Sequence, residues 1–588
     1  MQAADSFVRW RNGNVGLLVL ALTIGGGAGL AAVAFRWLIE HATLLFSGYD
    51  DYSAVGPSAH PGHGWIPWLG PWFVVLAPAV GGLLYGPLVH RYAREARGHG
   101  VPEVMNAVAR RGGRIPGKVA VVKALASAVC IGSGGSVGRE GPIVQIGSAL
   151  GSRLGQVVRL PESRLRVLVA CGAAGGIAAT FNAPLAGVFF ALELLLVNFA
   201  AEAFGLVVLS AVTASVIGRG LLGDEPFLTL PRFVVHDPRE YLLYAALGVL
   251  AGGVGVLFTR VLYAVEDACD WVWRGPEWAR PAVGGLLLGG LLFVLPEMYG
   301  VGYPVLQAGV EGRYALGFLV VLLFAKMLAT SLTIGIGGSG GVFAPSLFCG
   351  AMFGAAFGHV VSLAAPDVVG PVGAYALVGM GAVFAGAARA PITAVVIMFE
   401  LSGLYSIILP LMLAIVLATA ISRALSSDTV YTLKLTRRGV DLSAPTGDPR
   451  LRDHTVRDVL EPAPPPLHPG TGLDEAARAV LGGGWSALPV DEDGRFVGVV
   501  SARAVAEALG EPSEPGRTVG SLVERPPGVA LETSLFDALA VLTTTDDGGG
   551  VPVLDPDDRL LGWLSPQAVL SVLGRSGAGQ EARGRTAG

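Results

Sequence analysis

The stretch GSGGSVGREGPIVQIGSALG, from Gly132 to Gly151, places a charged pair, Arg139-Glu140, between glycines in a strongly apolar chain. A glycine-rich turn that runs into a helix brings unpaired backbone N–H groups and the positive end of the helix dipole to one point, which suits an anion. A fixed carboxylate beside that point would compete with a mobile anion. The alternative is an ordinary loop with a solvated Arg139 and Glu140, and this stretch alone does not separate the two interpretations.

The composition indicates a membrane protein. The 588 residues are 52% hydrophobic and 15% charged, whereas ordinary soluble domains are roughly 25% charged. Apolar runs long enough for membrane helices occur at residues 15–40, 69–90, 201–221, 241–263, 315–335 and 406–425. The apolar segments 163–196 and 343–403 are broken by Gly and Pro, which predicts tilted and half-spanning helices. The first run is longer than a signal-peptide core and further spans follow it, so we expect it to be retained after a short cytoplasmic tail.

The charge is unevenly distributed along the chain. From Asp441 onward there are 22 acidic and 12 basic residues, a net charge of −10, and the preceding part carries +6. The C-terminal part is therefore expected to be a separate soluble module. The sequence has no basic run interleaved with aromatic residues, so it does not indicate nucleic-acid binding. The four cysteines lack CxxC spacing, so neither a disulfide framework nor a metal site is predicted.

The membrane part contains an internal repeat. IGSGGSVGREGPIVQIGSALGSRLG, starting at Ile131, aligns with IGIGGSGGVFAPSLFCGAMFGAAFG, starting at Ile334, at a constant offset of 203 residues. FNAPLAGVFFALEL aligns with ARAPITAVVIMFEL at an offset of 207, which pairs Glu193 with Glu400. Two matches in the same order indicate duplicated halves. Duplicated transporters build a central site at the repeat interface from the ends of discontinuous helices, which favours the anion-site interpretation over the solvated loop.

Four motifs carry a specific resemblance to a known family. GHGVPEV (Gly98 to Val104), GREGP (Gly138 to Pro142), GGVFAP (Gly340 to Pro345) and the Tyr431 of SDTVYTLKL resemble, in order and spacing, the CLC family of chloride channels and proton-coupled chloride exchangers. The resemblance covers about Val15 to Leu435. It implies an all-α polytopic membrane protein with a duplicated, inverted-repeat core of tilted and broken helices. It also implies a homodimer in the lipid bilayer with one independent pathway per subunit.

The resemblance also implies roles for the matching residues. The GREGP glutamate of the family is a gate whose carboxylate enters the anion path, and it corresponds to Glu140. Lys123 would add positive potential without direct ligation. Tyr431 could instead be an interfacial tyrosine, and Phe343 could serve only helix packing. The anion-binding positions implied are His99, Gly100, Arg139, Glu140, Gly141, Val342, Phe343 and the hydroxyl of Tyr431.

Two departures from the family pattern affect the function. His99 stands where chloride-selective members commonly have Ser, so either its ring donates a hydrogen bond to the anion or only its backbone faces the path. Leu194 stands where the exchangers have their internal proton-transfer glutamate. The adjacent Glu193 either supports a helix end or provides a non-standard proton path, and successive helix residues point about 100° apart. We therefore predict passive chloride conduction, with chloride/proton exchange by a non-standard path as the alternative.

The C-terminal part contains a second repeat. SALPVDEDGRFVGVVSARAVAEAL and GVPVLDPDDRLLGWLSPQAVLSVL each predict a strand, an acidic turn, a strand ending in Ser, and a helix, and they resemble paired α/β CBS domains. Such pairs commonly bind adenine nucleotides. Ser501 and Ser565 match the phosphate contacts, but Ala504 and Ala568 replace the Asp that binds ribose. A weak nucleotide site and a purely structural pair both stay open.

The sequence also sets the expected organisation and class. None of the nine histidines begins an HExxH motif and no GK[ST] follows the GSGG run, so we do not predict an enzyme. A CBS-regulated cation channel or transporter would need pore acids or a carbonyl filter, whereas this site is rich in amides and glycine. We predict a transporter of chloride or a related monovalent anion in the plasma (inner) membrane, with both termini cytoplasmic and no required cofactor. The predicted boundaries are an N-terminal tail over 1–14, a transport domain over 15–435, a linker over 436–450, CBS domains over 451–512 and 513–575, and a disordered tail over 576–588.

Overall fold

The chain divides into two units, Met1–Leu442 and Ser443–Gly588. The computed structural model describes residues 14–54, 67–197, 200–223, 237–364, 366–440, 451, 454–483, 485–510, 517–543 and 549–572. The predicted tails over 1–14 and 576–588 lie outside the described residues, except for Asn14, and so do residues 441–450 of the predicted linker. The predicted domain boundaries therefore stay predictions.

The first unit consists of helices of very different lengths. They are α1 Asn14–Ser47, α2 Phe73–Tyr92, α3 Val101–Arg110, α4 Lys118–Gly132, α5 Glu140–Val157, α6 Glu162–Phe181, α7 Pro184–Phe190, α8 Ala201–Leu222, α9 Glu240–Val272, α10 Arg280–Val294, α11 Tyr303–Val310, α12 Leu316–Gly335, α13 Phe343–Ala364, α14 Val372–Ala388, α15 Pro391–Ser402, α16 Ile408–Leu425 and α17 Thr432–Thr436. A π-helical turn, Ala191–Leu196, continues α7.

Eight helical segments of the described residues are long and apolar enough to cross a membrane. Six of them correspond to the predicted apolar runs. The other two, Glu162–Phe181 and Phe343–Ala364, come from the segments predicted to be broken. Apolar helices of 10–17 residues, such as Val372–Ala388 and Pro391–Ser402, lie beside them. The prediction of an all-α polytopic fold that mixes long and short helices is confirmed.

The same helix packing occurs in both halves of this unit. A Cβ atom at Gly147 of α5 would collide with the backbone at Gly172 of α6, and the reverse also holds. Gly350 of α13 and Gly379 of α14 approach each other in the same way. The two pairs are equivalent in the repeat, at offsets of 203 and 207. Because small residues let membrane helices approach closely, the halves share a packing motif as well as a sequence pattern.

The two halves also cap each other's helices. The Glu193 carboxylate accepts hydrogen bonds from the backbone N–H groups of Ile392 and Thr393, at 3.1 and 2.8 Å, where α15 begins. Its repeat equivalent Glu400 accepts from the N–H groups of residues 185 and 186, at 3.0 and 2.7 Å, where α7 begins. A carboxylate satisfies the unpaired N–H groups of a helix start and complements its dipole. Each half therefore completes a helix of the other.

The described residues of the second unit form two small antiparallel sheets. Strand β1 (Ala487–Glu492) pairs with β2 (Arg495–Ser501), and β3 (Val551–Leu554) pairs with β4 (Leu560–Leu564). Alternate residues of β2 are buried, as expected for a sheet that covers a core on one face. The helices are α18 Leu473–Gly483, α19 Ala502–Gly510 and α20 Leu535–Leu542, and residues 566–572 are also helical. The predicted order of strand, turn, strand and helix is confirmed in both repeats.

Candidate functional site

The two glycine-rich turns meet at a pair of equivalent glycines. The N–H of Gly138 donates to the carbonyl of Gly341 at 2.8 Å, and the N–H of Gly341 donates to the carbonyl of Gly138 at 2.6 Å. The two residues form an antiparallel bridge and are 203 positions apart, so a local two-fold axis passes between them. Helices α5 and α13 begin two residues later, at Glu140 and Phe343. Their unpaired N-terminal N–H groups are therefore brought close together.

The GHGVP loop joins the same centre. The N–H of Gly98 donates to the carbonyl of Gly338 at 2.9 Å, and the N–H of residue 340 donates back to the carbonyl of Gly98 at 3.3 Å. Gly100 has a φ of +79°, and a Cβ there would lie 3.0 Å from the carbonyl oxygen of Gly141. Glycine tolerates the positive φ, and because it has no Cβ it also allows the close approach of the Gly141 carbonyl. The start of α3 at Val101 thus lies beside the start of α5.

The Glu140 carboxylate is enclosed by protein, and the residue is only 3% exposed. Its Oε1 atom accepts a hydrogen bond from the hydroxyl of Tyr303 at 3.0 Å. Its Oε2 atom lies 3.4 Å from the N–H of Ala344 in the first turn of α13. O–H and backbone N–H donors of this kind also bind small anions. The carboxylate and a mobile anion would therefore compete for the same donors.

His99 and Tyr431 are buried beside each other, with ring centroids 6.1 Å apart. The Nε2 atom of His99 lies 3.5 Å from the oxygen of Tyr263, whose hydroxyl donates to the carbonyl of Val430 at 2.8 Å. The Nδ1 atom of His99 is buried and has no hydrogen-bond partner among the residues that the structure describes. Because buried polar atoms usually have partners, Nδ1 is free to bind a further group.

Phe343 contributes differently through its ring and its backbone. The ring lies 4.5 Å from that of Phe384 and 5.8 Å from that of Phe181, by centroid distance. The side chain therefore belongs to the core, as the packing interpretation expects. The backbone of Val342 and Phe343 forms the start of α13, next to the Gly138–Gly341 pair.

A cavity of about 380 Å³, which we call the vestibule, is lined by the sequence neighbour of Glu140 and by its hydrogen-bond donor Tyr303. Arg139 and Tyr303 line it, together with Asn182 and Arg219. The Arg139 guanidinium lies over the rings of Phe181 and Tyr303, 5.9 and 5.1 Å from their centroids. Such cation–π contacts hold the charge in place. Arg139 therefore provides a fixed positive charge where the vestibule meets the site.

Two fully buried lysines hold the loops of the site. The Nζ atom of Lys123 donates to the carbonyls of Ala96 and Gly98, at 2.9 and 2.6 Å. The Nζ atom of Lys326 donates to the carbonyls of residues 300 and 301, at 3.2 and 2.9 Å. Neither ammonium forms an ion pair with a carboxylate within the described part of the chain. Both lysines are therefore held by carbonyl groups of the loops.

Sequence reasoning missed the loop that carries Tyr303. GVGYP (Gly300–Pro304) matches GHGVP (Gly98–Pro102) at an offset of 202 residues, and Lys326 matches Lys123 at 203. Extending the alignment of the glycine-rich turns upstream would have found both. The structure places the GHGVP, GREGP and GGVFAP loops side by side, and it places Tyr303 in contact with Glu140.

The fold and the site together define a multi-pass membrane protein with a central site between duplicated halves. A family model described as voltage gated chloride channel matches residues 81–423. A model of the CBS domain matches residues 456–511 and 519–575. The chain thus belongs to the CLC family of anion transport proteins and carries a pair of CBS domains.

Curated relatives match the chain over most of their length. A protein of Ralstonia nicotianae named "Putative chloride channel protein ClcB-like" is 34% identical, and the match covers 72% of this chain and 98% of that protein. The "H(+)/Cl(-) exchange transporter ClcA" of Vibrio vulnificus is 32% identical, with 74% of this chain and 92% of that protein covered. The names of the relatives thus include both a channel and an exchanger.

Solved structures share the fold. The structure of "a slow cyanobacterial Cl-/H+ antiporter" has a TM-score of 0.63 and 26% identity, and covers 72% of this chain and 97% of that chain. The structure of "a eukaryotic CLC transporter" has a TM-score of 0.61 and 22% identity, and covers 94% of this chain and 97% of that chain. The second likeness extends the shared fold to nearly the whole chain.

Proposed function

We propose that this protein exchanges chloride, or a related monovalent anion, for protons, with Glu140 as its gate. The sequence alone favours passive conduction, but relatives named as exchangers, in sequence and in structure, favour the alternative. One observation carries the proposal: the buried Glu140 carboxylate lies on hydrogen-bond donors of α11 and α13, where an anion would bind.

Exchange requires one position that either the Glu140 carboxylate or a chloride ion can occupy, but not both at once. In the ionised state, the Glu140 carboxylate accepts from Tyr303 and excludes chloride. A protonated carboxyl carries no net charge, so its attraction to these donors weakens and it leaves the position. Chloride can then take its place. Proton uptake and anion movement are linked because the gate and the anion use the same donors.

The anion path is lined mainly by neutral donors. We assign direct contacts to backbone amides at 99–100, 139–141 and 342–343 and to the hydroxyl of Tyr431. Lys123 contributes positive electrostatic potential without contacting the anion. Amide dipoles bind a monovalent anion without a full counter-charge, which keeps binding weak enough for release. Weak, reversible binding of the anion suits a protein that must release it on the other side of the membrane.

The inner proton route differs from that of relatives with an internal glutamate. Leu194 cannot carry a proton. Both oxygens of Glu193 accept hydrogen bonds at the start of α15, with Oε2 accepting also from the Thr393 hydroxyl at 2.7 Å. We assign Glu193 to helix capping and propose ordered water as the proton carrier, because low-dielectric protein does not pass protons unaided.

Reconstitution tests the exchange directly. The purified protein is placed in vesicles with a chloride gradient and a pH probe inside. We expect the gradient to drive protons uphill. Sustained chloride flux without proton movement would instead support the passive conduction expected from the sequence.

The ring of His99 is proposed to donate a hydrogen bond to the anion from Nδ1. If it does, His99→Ser will alter the ranking of chloride, nitrate and fluoride, with flux ratios changing about fivefold, as for one neutral hydrogen bond. Flux measurements with each anion in turn provide the test. An unchanged ranking would show that only the backbone of this loop faces the path.

The CBS pair is proposed to bind an adenine nucleotide weakly. A cavity of about 480 Å³ in this unit is lined by Ser501, Arg503, Arg525 and Trp563 among others, which offers cations for phosphate and a ring for the base. The Ser501 oxygen also accepts from the N–H of Ala504, at 3.1 Å, so part of its capacity serves a helix start. Ser565 has the same arrangement with Ala568.

Titration of the full chain with ATP, ADP and AMP measures this site. We expect dissociation constants no tighter than about 10 μM, or roughly −6.8 kcal/mol, because the ribose acceptor is missing. Ser501→Ala should weaken binding and Ser565→Ala should change it less, since the cavity lies at Ser501. A nanomolar constant would contradict the expectation.

We further propose a homodimer in the plasma membrane with both termini cytoplasmic. The family resemblance supports this assignment. Apolar side chains exposed on α15 and α16, including Ile392, Leu409 and Val416, suit contact with lipid or with a second copy. Molar mass measurement in detergent distinguishes a dimer from a monomer.

A further inference from the structure

The loop 98–102 is braced by a lysine and two hydroxyl residues. Lys123 binds the carbonyl of Ala96 at 2.9 Å, and the Ser339 hydroxyl donates to the same carbonyl at 2.8 Å. The Ser339 hydroxyl also lies 2.9 Å from that of Ser127. All three side chains are fully buried. Their positions relative to the loop are therefore fixed.

The loop 300–304 is braced by the repeat equivalents of the same three residues. Lys326, Thr330 and Ser136 correspond to Lys123, Ser127 and Ser339 at an offset of 203. The Nζ of Lys326 donates to the Ser136 hydroxyl at 2.9 Å as well as to the loop carbonyls, and the Thr330 hydroxyl donates to the Ser136 carbonyl at 2.8 Å. Both loops are thus held by hydrogen bonds from buried side chains.

The two braced loops differ in the side chain that follows the second glycine. The first loop has Val101 there, and the second has Tyr303. The Tyr303 hydroxyl reaches Oε1 of Glu140 at 3.0 Å, and its ring lies under the Arg139 guanidinium. The second loop therefore contacts the gate directly.

We propose that Tyr303 is a positioning residue for the gate: its hydroxyl holds the ionised Glu140 carboxylate in the closed position, and the Lys326 brace fixes that hydroxyl. This inference rests on the proposed gate role of Glu140. The hydroxyl does not touch the anion while the gate is closed. It acts by setting how readily the carboxylate leaves.

The contacts of Glu140 explain why this hydroxyl matters. Of the two donors described above, Tyr303 is closer at 3.0 Å, and the N–H of Ala344 is more distant at 3.4 Å. The other charged or titratable groups that act on Glu140 are Arg139, Lys326 and Tyr431. An O–H donor stabilises an ionised carboxylate more than a protonated one. Losing it therefore favours proton uptake and departure of the gate.

Tyr303→Phe tests the inference because it removes the hydroxyl and keeps the ring under Arg139. We expect the pH at which transport is half-maximal to rise by about one unit, the effect of one hydrogen bond to a charged group. Chloride flux at neutral pH should rise severalfold. Tyr299→Phe is the matched control, since that hydroxyl donates to the carbonyl of Gly132 at 2.7 Å and not to the gate. It should leave the pH midpoint unchanged.

The same substitution in a Glu140→Ala background separates positioning from a general structural effect. If Tyr303 acts through the gate, Tyr303→Phe will not change the pH dependence of flux once Glu140 is absent. An equal change in both backgrounds, or a wild-type pH profile for Tyr303→Phe alone, would overturn the inference. Failure of the gate assignment itself has a different signature, since Glu140→Ala would then keep the wild-type pH dependence.

Discussion

Glu140→Ala is expected to abolish chloride-driven proton movement while chloride flux continues at or above the wild-type rate. The substitution removes the carboxylate that competes with the anion for donors of α11 and α13, and it removes the titratable group that links proton to anion. Flux should also lose its dependence on pH. Parallel recordings of chloride efflux and of pH inside vesicles measure all three effects.

Glu140→Gln and Glu400→Gln complete this experiment. Glutamine at 140 keeps the shape of a protonated gate and should also uncouple the protein. Glu400 is a second carboxylate of the transport unit but caps α7, so Glu400→Gln should retain coupling. Complete loss of chloride flux in a well-folded Glu140→Ala protein would show that Glu140 is not a gate, and so would wild-type coupling.

Lys123→Met is expected to raise the chloride concentration for half-maximal flux by roughly tenfold or more. A positive charge on the order of 8 Å from an anion contributes about 2 kcal/mol at an effective dielectric constant of about 20. The substitution also removes the donor to the carbonyls of Ala96 and Gly98, which hold the His99 loop. Chloride titrations of flux, at fixed pH, give the shift.

Lys118→Met is the matched control for the loss of charge. Lys118 begins the same helix, α4, but its side chain is exposed to solvent. Water and salt screen its charge, so the concentration dependence should stay within about twofold of wild type. A similar shift for both variants would mean that net charge, and not the buried ammonium, determines chloride affinity.

Much of the fold could be predicted because membrane spans and repeats leave direct marks in a sequence. All six apolar runs lie in long helices, and the strand and helix order of the CBS repeats is as predicted. The glycine-rich turns were located because glycine is required where backbones meet, as at the Gly138–Gly341 pair. Composition and spacing record such constraints.

Contacts between distant side chains leave no such mark. Glu140 and Tyr303 are 163 positions apart, and no local pattern shows that one hydroxyl will reach one carboxylate. The equivalence of Glu193 and Glu400 could be seen, but not that each would cap a helix of the other half. The prediction of passive conduction rests on the single residue Leu194. The relatives named as exchangers match the chain over hundreds of positions, and they favour exchange.

The pairing of Glu140 with Phe343 across the local two-fold axis gives the pathway a direction. A backbone frame that repeats itself about an axis in the membrane looks the same from either face, so it cannot by itself distinguish the two solutions. Only unequal residues at equivalent positions can, and near the centre these include Glu140 opposite Phe343 and Tyr303 opposite Val101. Any directionality of the proposed exchange would thus depend on such broken symmetries, and variants that exchange these residues between the halves are where a reversed direction of transport should be sought.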